Sequence, residues 1–288
     1  MEPWSAFPTG DGSFTFYSSA FQSTFHSVSG AWQEAEQKFV APSGLLEAPS
    51  PLHVLDICYG LGYNSAALLD TLWRERPESK VDLIALELEL EVPQSAHQLG
   101  GLKHWPLAES VLGRLASNCE VKTDRLHAQL MIGDARKTIL GVPRQWADGI
   151  FLDPFSPECC PMLWSVEFLA LVAQCLKPTG TIVTYAASAA VRTALKLAGL
   201  VVGPTPPVGR RTPGTIANWQ GGLPPLSRQE SEHLQTTAAV PFRDPTLESD
   251  VETLHRRRID EQRLSTLEPS SHWRKRWAIG TGTASDKS

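Results

Sequence analysis

Five short runs of branched and apolar residues punctuate the chain: "LHVLDI" (52–57), "VDLIALEL" (81–88), "HAQLMI" (127–132), "GIFLD" (149–153) and "GTIVTYA" (180–186). Their apolar positions are close to continuous, the pattern of strands buried on both faces. Between them the period lengthens to that of a helix: "NSAALLDTLWRER" follows the first run and "MLWSVEFLALVAQCL" the fourth. "AAVRTALKLAGL" follows the fifth and places Gly199 as a C-cap. Strands alternating with amphipathic helices predict an α/β fold, a mostly parallel sheet with helices on both faces and right-handed connections. About forty residues separate the second and third runs, an unusually long crossover that predicts some helix of its own.

Two segments fall outside this alternation. Residues 1–50 hold a small aromatic strand candidate, Phe14-Thr15-Phe16-Tyr17, and a polar, helix-like stretch, "GAWQEAEQKFV". Residues 223–288 follow a Pro-rich hinge, "GGLPPLS", and carry Arg256-Arg257-Arg258 and "HWRKRW". The expected organisation is therefore an N-terminal segment (1–50), an α/β core (51–222) and a charged C-terminal extension (223–288).

Composition narrows the picture only a little. With 42% hydrophobic and 20% charged residues the chain can bury a sizeable core. A net charge of −5 argues against coating nucleic acid wholesale but leaves room for a local basic patch. Five cysteines without a C-x-x-C pair suggest reduced thiols, neither a disulfide framework nor a zinc site. The N-terminus lacks the basic start and apolar core of a signal peptide, and no window reaches the roughly 18 apolar residues of a membrane span. A cytoplasmic protein is expected.

The chemistry sits at the ends of the strands. "VLDICYGLGYNS" runs from a strand through Gly60 and Gly62 into a helix, a loop that lets backbone approach a ligand. The third glycine of a dinucleotide fingerprint would fall at Ser65, which counts against pyrophosphate binding. Asp56, just before the glycines, suits a ligand with a cationic end. Glu87, or Glu89 in another register, could accept hydrogen bonds from ribose hydroxyls. Asp134 could meet an adenine amino group, with the Ala135 N–H as a ring-nitrogen donor, or it could cap the helix near Arg136. Asp153 closes the fourth run. Four acids at successive strand ends mark the ligand-binding edge of an open α/β sheet. A positively charged nucleoside, S-adenosylmethionine, fits them. The expected fold is thus a Rossmann-like class I methyltransferase with a seven-stranded sheet.

"DGSFTFYSSAFQSTFHSVSGAWQEAEQKFV" (11–40), "LDICYGLGYNS" (55–65), "FLDPFSP" (151–157) and "VGRRTPGTIA" (208–217) resemble the MnmC-type methyltransferases, in order and with similar gaps, over about residues 7–220. The resemblance implies S-adenosylmethionine-dependent N-methylation of the aminomethyl group of a modified wobble uridine in tRNA. It also implies that Asp56, Gly60, Gly62 and Asn64 hold the methionine end of the cofactor, Glu87 the ribose, and Asp134 with Ala135 the adenine. His26, Ser27, Gly30 and Glu34 would line the acceptor pocket from the N-terminal segment. Asp153, Phe155 and Pro157 would form the wall between donor and acceptor. Where the family has Asp-Gly-Phe this chain has Asp153-Pro154-Phe155, so one backbone N–H is lost. Bifunctional members add a flavin-dependent oxidase domain for which these 288 residues leave no room, so the aminomethyl acceptor would come from a separate enzyme.

Asp153 is expected to orient the acceptor nitrogen, with late proton loss to solvent or to His26, and Phe155 to stack on the target pyrimidine. The plainer alternatives are an Asp153 that caps a helix near Glu158 and a His26 that only packs. Arg210, Arg211, the triplet 256–258 and Arg274-Lys275-Arg276 between Trp273 and Trp277 are candidates for contact with the tRNA anticodon stem and loop, or else parts of a solvated tail. Two other functions compete: a spermidine-synthase-like aminopropyltransferase, and a non-catalytic RNA-binding protein on a methyltransferase fold.

Overall fold

Successive side chains of the central strands feed two separate cores, one on each face of a single sheet. Val54, Leu83, Phe151 and Val183 point into one cluster; Leu55, Ile84, Ile150 and Ile182 point into the other. This is why the strands read as continuous apolar runs: alternation is lost when both faces are covered. The computed structural model describes residues 4–207 and 213–278.

Three N-terminal strands, β1 (Trp4–Pro8), β2 (Phe14–Ser18) and β3 (Ser23–Thr24), form a small antiparallel sheet. Helix α1 (Ala31–Gln33) runs on into a π-helical segment, Glu34–Val40. The main sheet follows: β4 (Leu52–Ile57), β5 (Val81–Glu87), β6 (Glu120–Lys122), β7 (Leu126–Ile132), β8 (Ala147–Leu152), β9 (Leu176–Thr184), β10 (Val201–Pro204) and β11 (Thr215–Asn218). Its order is β10-β11-β9-β8-β4-β5-β7-β6. The five expected strands are its parallel centre, β9-β8-β4-β5-β7.

The sheet has eight strands instead of the expected seven. The β10–β11 hairpin pairs antiparallel with β9 at one edge, and the short β6 pairs antiparallel with β7 at the other. Strand β6 is only Glu-Val-Lys, with one buried side chain, too short for a periodicity to reveal.

Helices α2 (Tyr63–Glu75), α3 (Glu91–Gln98) and α4 (Pro106–Asn118) pack with α1 over the first core. The last two lie in the long crossover. Helices α5 (Ala135–Thr138), α6 (Val166–Cys175) and α7 (Ala189–Leu197) contribute to the second. Ser165 and Ser188 cap α6 and α7 by accepting the amides of Phe168 and Val191. Gly199, just past α7, takes φ +95°, as a C-terminal glycine does.

Beyond the sheet come α8 (Arg228–His233), α9 (Val251–Leu264) and α10 (Ser270–Ala278). Phe242 and Leu254, from this last third, are buried in the second core. The Phe242 carbonyl accepts the Val166 amide at 3.0 Å, tying the segment to the start of α6. Buried Asp244 receives Arg136, and its own amide donates to Glu167 at 2.6 Å. Phe242→Ala should therefore destabilise the whole fold by about 3–5 kcal/mol in urea denaturation, as a core phenylalanine does. A cost below about 1 kcal/mol would mean that the segment only leans on the core.

Candidate functional site

The chain order reverses between β4 and β8: it runs outward through β5 and β7 on one side and through β9 on the other. Such a switch point opens a crevice at the carboxyl ends of the strands. A cavity of about 260 Å³ lies there. Cys58 and Gly60 line it from the loop after β4, Glu87 from the end of β5, Asp134 to Arg136 after β7, and Asp153 and Phe155 after β8. The N-terminal segment closes one side with Phe21 and Phe25.

The glycine loop is shaped by its neighbours. Gly60 has φ +55° and Gly62 φ +82°, and a Cβ on Gly62 would come within 2.5 Å of the Tyr59 hydroxyl. The Gly60 N–H donates to Glu87 Oε2 at 2.7 Å, while Leu88 and Glu89 donate to Oε1 at 2.8 and 3.1 Å. Three amides thus fix the Glu87 carboxylate at the cavity wall; burial nevertheless pushes its pKa above the ordinary value.

Asp56 is fully buried beneath the loop. Ser65, standing where a third glycine would be, donates its hydroxyl to Asp56 Oδ2 at 2.6 Å. Asp56 Oδ1 and Asn64 Oδ1 have no hydrogen-bond partner among the described residues. Burial pushes the Asp56 carboxyl up to about 7, helped by the charge of Glu87. Asn64 donates to Asp153 Oδ2 at 2.9 Å, linking the start of α2 to the end of β8. Burial, and then the negative charge of Glu34, hold Asp153 well above the usual carboxylate range. A cluster of desolvated acids with orphaned acceptors fits a ligand carrying ammonium and sulfonium groups, because a cation would return both acids to their charged forms.

The turn after β8 is clamped at three consecutive residues. The Asp153 amide donates to Ile57 O at 3.1 Å, Tyr185 Oη to Pro154 O at 2.9 Å, and Trp164 Nε1 to Phe155 O at 2.8 Å. Pro154 takes part in this clamp through its carbonyl. The capping alternative for Asp153 is not used: Ser165 caps α6. Phe155 stacks on Phe21, centroids 4.4 Å apart, and meets the edge of Phe25 at 4.9 Å. A pyrimidine stacking on that first face must displace Phe21.

Asp134 takes the capping role and also stands at the cavity. It borders the cavity, and it caps α5 by accepting the Arg136 amide at 2.9 Å. Burial would raise its pKa, but the Arg136 guanidinium outweighs this and holds it below the ordinary value. Ala135 lies beside it on the cavity wall.

The N-terminal residues are brought near but do not all reach the cavity. His26 is buried, with its ring stacked on Tyr63 at 4.9 Å, and is not among the lining residues. Burial lowers its pKa to about 4, so the imidazole is a poor proton acceptor. The Ser27 amide donates to Glu34 Oε2 at 2.8 Å. Gly30 starts α1, where Asp11 accepts the amides of Trp32 and Gln33 at 3.0 and 3.1 Å. Pro157 stands in the clamped turn, away from the cavity lining. Arg210 and Arg211 lie outside the described residues.

The basic tail is consumed by the fold only in part. Arg257 donates to Arg243 O, and Arg258 to the carbonyls of Val240 and Ala238. Arg256 pairs with Glu252, and Arg276 with Glu232 and Glu268. Trp273 stacks on His233, and Trp277 donates to Glu232. Arg257 and Arg258 are thereby committed to the fold, while Arg256, Arg274, Lys275 and Arg276 are exposed. Reasoning from sequence missed Phe21, Tyr185, Arg136 and the buried Lys38. Phe21 alone left a trace, as one of a run of aromatics.

The fold and this acidic strand edge define an S-adenosylmethionine-dependent methyltransferase. A family described as S-adenosyl-L-methionine-dependent methyltransferase matches residues 100–220. The crystal structure of MnmC2 from Aquifex aeolicus superposes with a TM-score of 0.80 and 31% identity, over 91% of this chain and 86% of that one. The chain belongs to the MnmC methyltransferase family. An uncharacterized protein of Methanocaldococcus jannaschii is 29% identical over 83% of this chain and 67% of its own length. The bifunctional MnmC of Aromatoleum aromaticum, a tRNA 5-methylaminomethyl-2-thiouridine biosynthesis protein, is 31% identical over 66% of this chain. The chain spans only 31% of that relative's length. The cofactor is S-adenosylmethionine, and family membership selects methyl transfer over aminopropyl transfer. Among the described residues no helix is long and apolar enough to cross a membrane.

Asp56 links the site to stability. Its folded pKa of about 7 lies above the ordinary carboxylate value of 3.8, so the stability tied to its proton is complete below that value and lost as pH rises through 7. Asp56→Asn should therefore stabilise the cofactor-free protein at alkaline pH by about 2 kcal/mol or more, while weakening cofactor binding at least about tenfold. Denaturation and calorimetry at two pH values check both signs.

Proposed function

We propose that this chain methylates the nitrogen of an aminomethyl group on a modified wobble uridine of tRNA, of the 5-aminomethyl-2-thiouridine type. The observation that carries this reading is the Asp153 turn: a rigid, single acid at the junction of an adenosyl-type pocket and an aromatic wall, in a chain of the MnmC family.

When bound, the cofactor supplies an electrophilic methyl group on a sulfonium. The chain supplies geometry. Asn64 holds Asp153 Oδ2, and the carboxyl's second oxygen is Oδ1. That oxygen can accept an N–H of the acceptor amine and aim its lone pair. A new N–C bond forms as the S–C bond breaks, and the amine gives up one proton. His26, off the cavity and neutral above about pH 4, does not take that proton; it passes to Asp153 or to solvent. Clamping residues 153–155 matters because small misplacements of a reacting pair cost large factors in rate. Phe155, Phe21 and Phe25 form the apolar wall against which the acceptor ring would lie.

The aminomethyl group would be made by a separate activity, and the exposed Arg256, Arg274, Lys275 and Arg276 would contact tRNA phosphates. Ser27 and Glu34 would act from behind the acceptor pocket, through their mutual bond. With tRNA bearing the aminomethyl nucleoside, nucleoside mass spectrometry should show one added methyl group that depends on S-adenosylmethionine. Asp153→Asn should lower turnover by about 10²-fold or more, with cofactor affinity changed far less. Wild-type turnover in that variant would remove Asp153 from the chemistry.

A further inference from the structure

Two phenylalanines of the N-terminal segment meet Phe155, and they are held differently. Phe25 is anchored: its amide donates to Phe16 O at 2.9 Å, and its ring stands edge-on to fully buried Phe16, centroids 6.3 Å apart. It also abuts the glycine loop, where a Cβ on Gly60 would come within 3.3 Å of it. Phe21 sits on the short turn between β2 and β3, with exposed Ala20 before it and exposed Gln22 after it. Its amide donates to Ser18 Oγ at 3.3 Å. Gln22 takes φ +49°, a left-handed conformation that costs free energy in a residue with a side chain.

The contact that Phe21 makes has the geometry of a stacked base. Its ring lies 18° from parallel to Phe155, with centroids 4.4 Å apart. Phe25 meets Phe155 at 66° instead. Phe155 itself is fixed from behind: its carbonyl accepts Trp164 Nε1 at 2.8 Å, and that of Pro154 before it accepts Tyr185 Oη at 2.9 Å. Of the two stacked rings, the one on the exposed, strained turn is the one that can give way. A pyrimidine has the size and flatness of the phenyl group lying on Phe155, so the chain fills its own ring subsite with a ring of the same shape.

We propose that Phe21 is a stand-in for the acceptor base: it covers the face of Phe155 until substrate arrives, and a pyrimidine takes its place as the Phe21 ring moves to the rim of the same wall. This deepens the tRNA reading given above and rests on it. It assigns the acceptor a planar, single-ring subsite, and it makes Phe21 a determinant of acceptor affinity through competition. A ligand whose site must first be uncovered binds more weakly, in proportion to the fraction of molecules in which that site is open.

An anticodon stem-loop RNA carrying 5-aminomethyl-2-thiouridine, titrated into the full chain with the demethylated cofactor bound, reads that competition without turnover. Phe21→Ala, which removes the ring, should tighten RNA binding about three- to tenfold, the range that one aromatic stack sets. Phe21→Leu, which keeps apolar bulk, should also tighten it, and Phe21→Trp, with a broader ring, should weaken it. The same RNA with an abasic site at the target position should gain nothing from either truncation, a dependence on the substrate's ring that a packing role would not give. Weaker or unchanged binding of the modified RNA in Phe21→Ala and Phe21→Leu would overturn the proposal, and so would an equal gain by the abasic RNA. Should Phe21→Ala fail to fold, Phe21→Leu and Phe21→Trp decide by their opposite signs. Wild-type protein that binds S-adenosylmethionine but leaves the modified RNA unmethylated would sink the acceptor reading itself, a different failure.

Discussion

Anions gathered away from water repel one another, and this chain brings four of them to one end of one sheet. Every local feature of the site can be read as a way of tolerating that crowding. Glu87 is fixed by three backbone amides, Asp134 by a guanidinium, and Asp153 by a side-chain amide. Asp56 receives only the Ser65 hydroxyl, and one of its oxygens is left without a partner. Protonation relieves what hydrogen bonds do not. The site is therefore a set of partly neutralised acids, and a ligand bearing sulfonium and ammonium groups would complete the structure electrostatically as much as it occupied space.

Rigidity around Asp153 comes from three different elements. A strand backbone, a tyrosine beyond the next strand and a tryptophan before α6 each hold one residue of the turn. The prolines limit the chain, but the hydrogen bonds place it. The N-terminal segment is organised by Asp11, which accepts from Thr9, Ser13, Trp32 and Gln33 and so joins the β1–β2 turn to the start of α1. The Asp-Gly-Ser signature of the family resemblance is, in this chain, an architectural knot and no part of the cavity wall.

The central parallel strands and their terminal acids were legible because burial on both faces and the edge rule act locally, within five to eight residues. Asp56, Glu87, Asp134 and Asp153 could be found without knowing what faced them. Other features were set by distant partners. Nothing around Lys38 in "EQKFV" signals burial, since a lysine in a polar helical stretch reads as solvated; only packing of the π-helical segment shows otherwise. His26 looked like a possible base because residue type is visible and solvation is not. Arg257 and Arg258 read as part of a surface patch because the carbonyls they serve, at Ala238, Val240 and Arg243, have no signature in sequence; Arg256 is indeed exposed. Strand β6 escaped because three residues carry no period.

Arg136 has a consequence of another kind. Its guanidinium holds Asp134 on the ligand side while bonding Asp244 Oδ2 and the Ser249 carbonyl on the other. One side chain thus spans the Asp134 wall of the cavity and the last third of the chain. Free-energy coupling of this sort runs equally in both directions. Whatever tugs on the 244–249 loop would alter the set of Asp134 at the cavity wall, and a ligand held there would stiffen that loop. Shortening the protein from its far end would thus change the ligand site as well as its periphery.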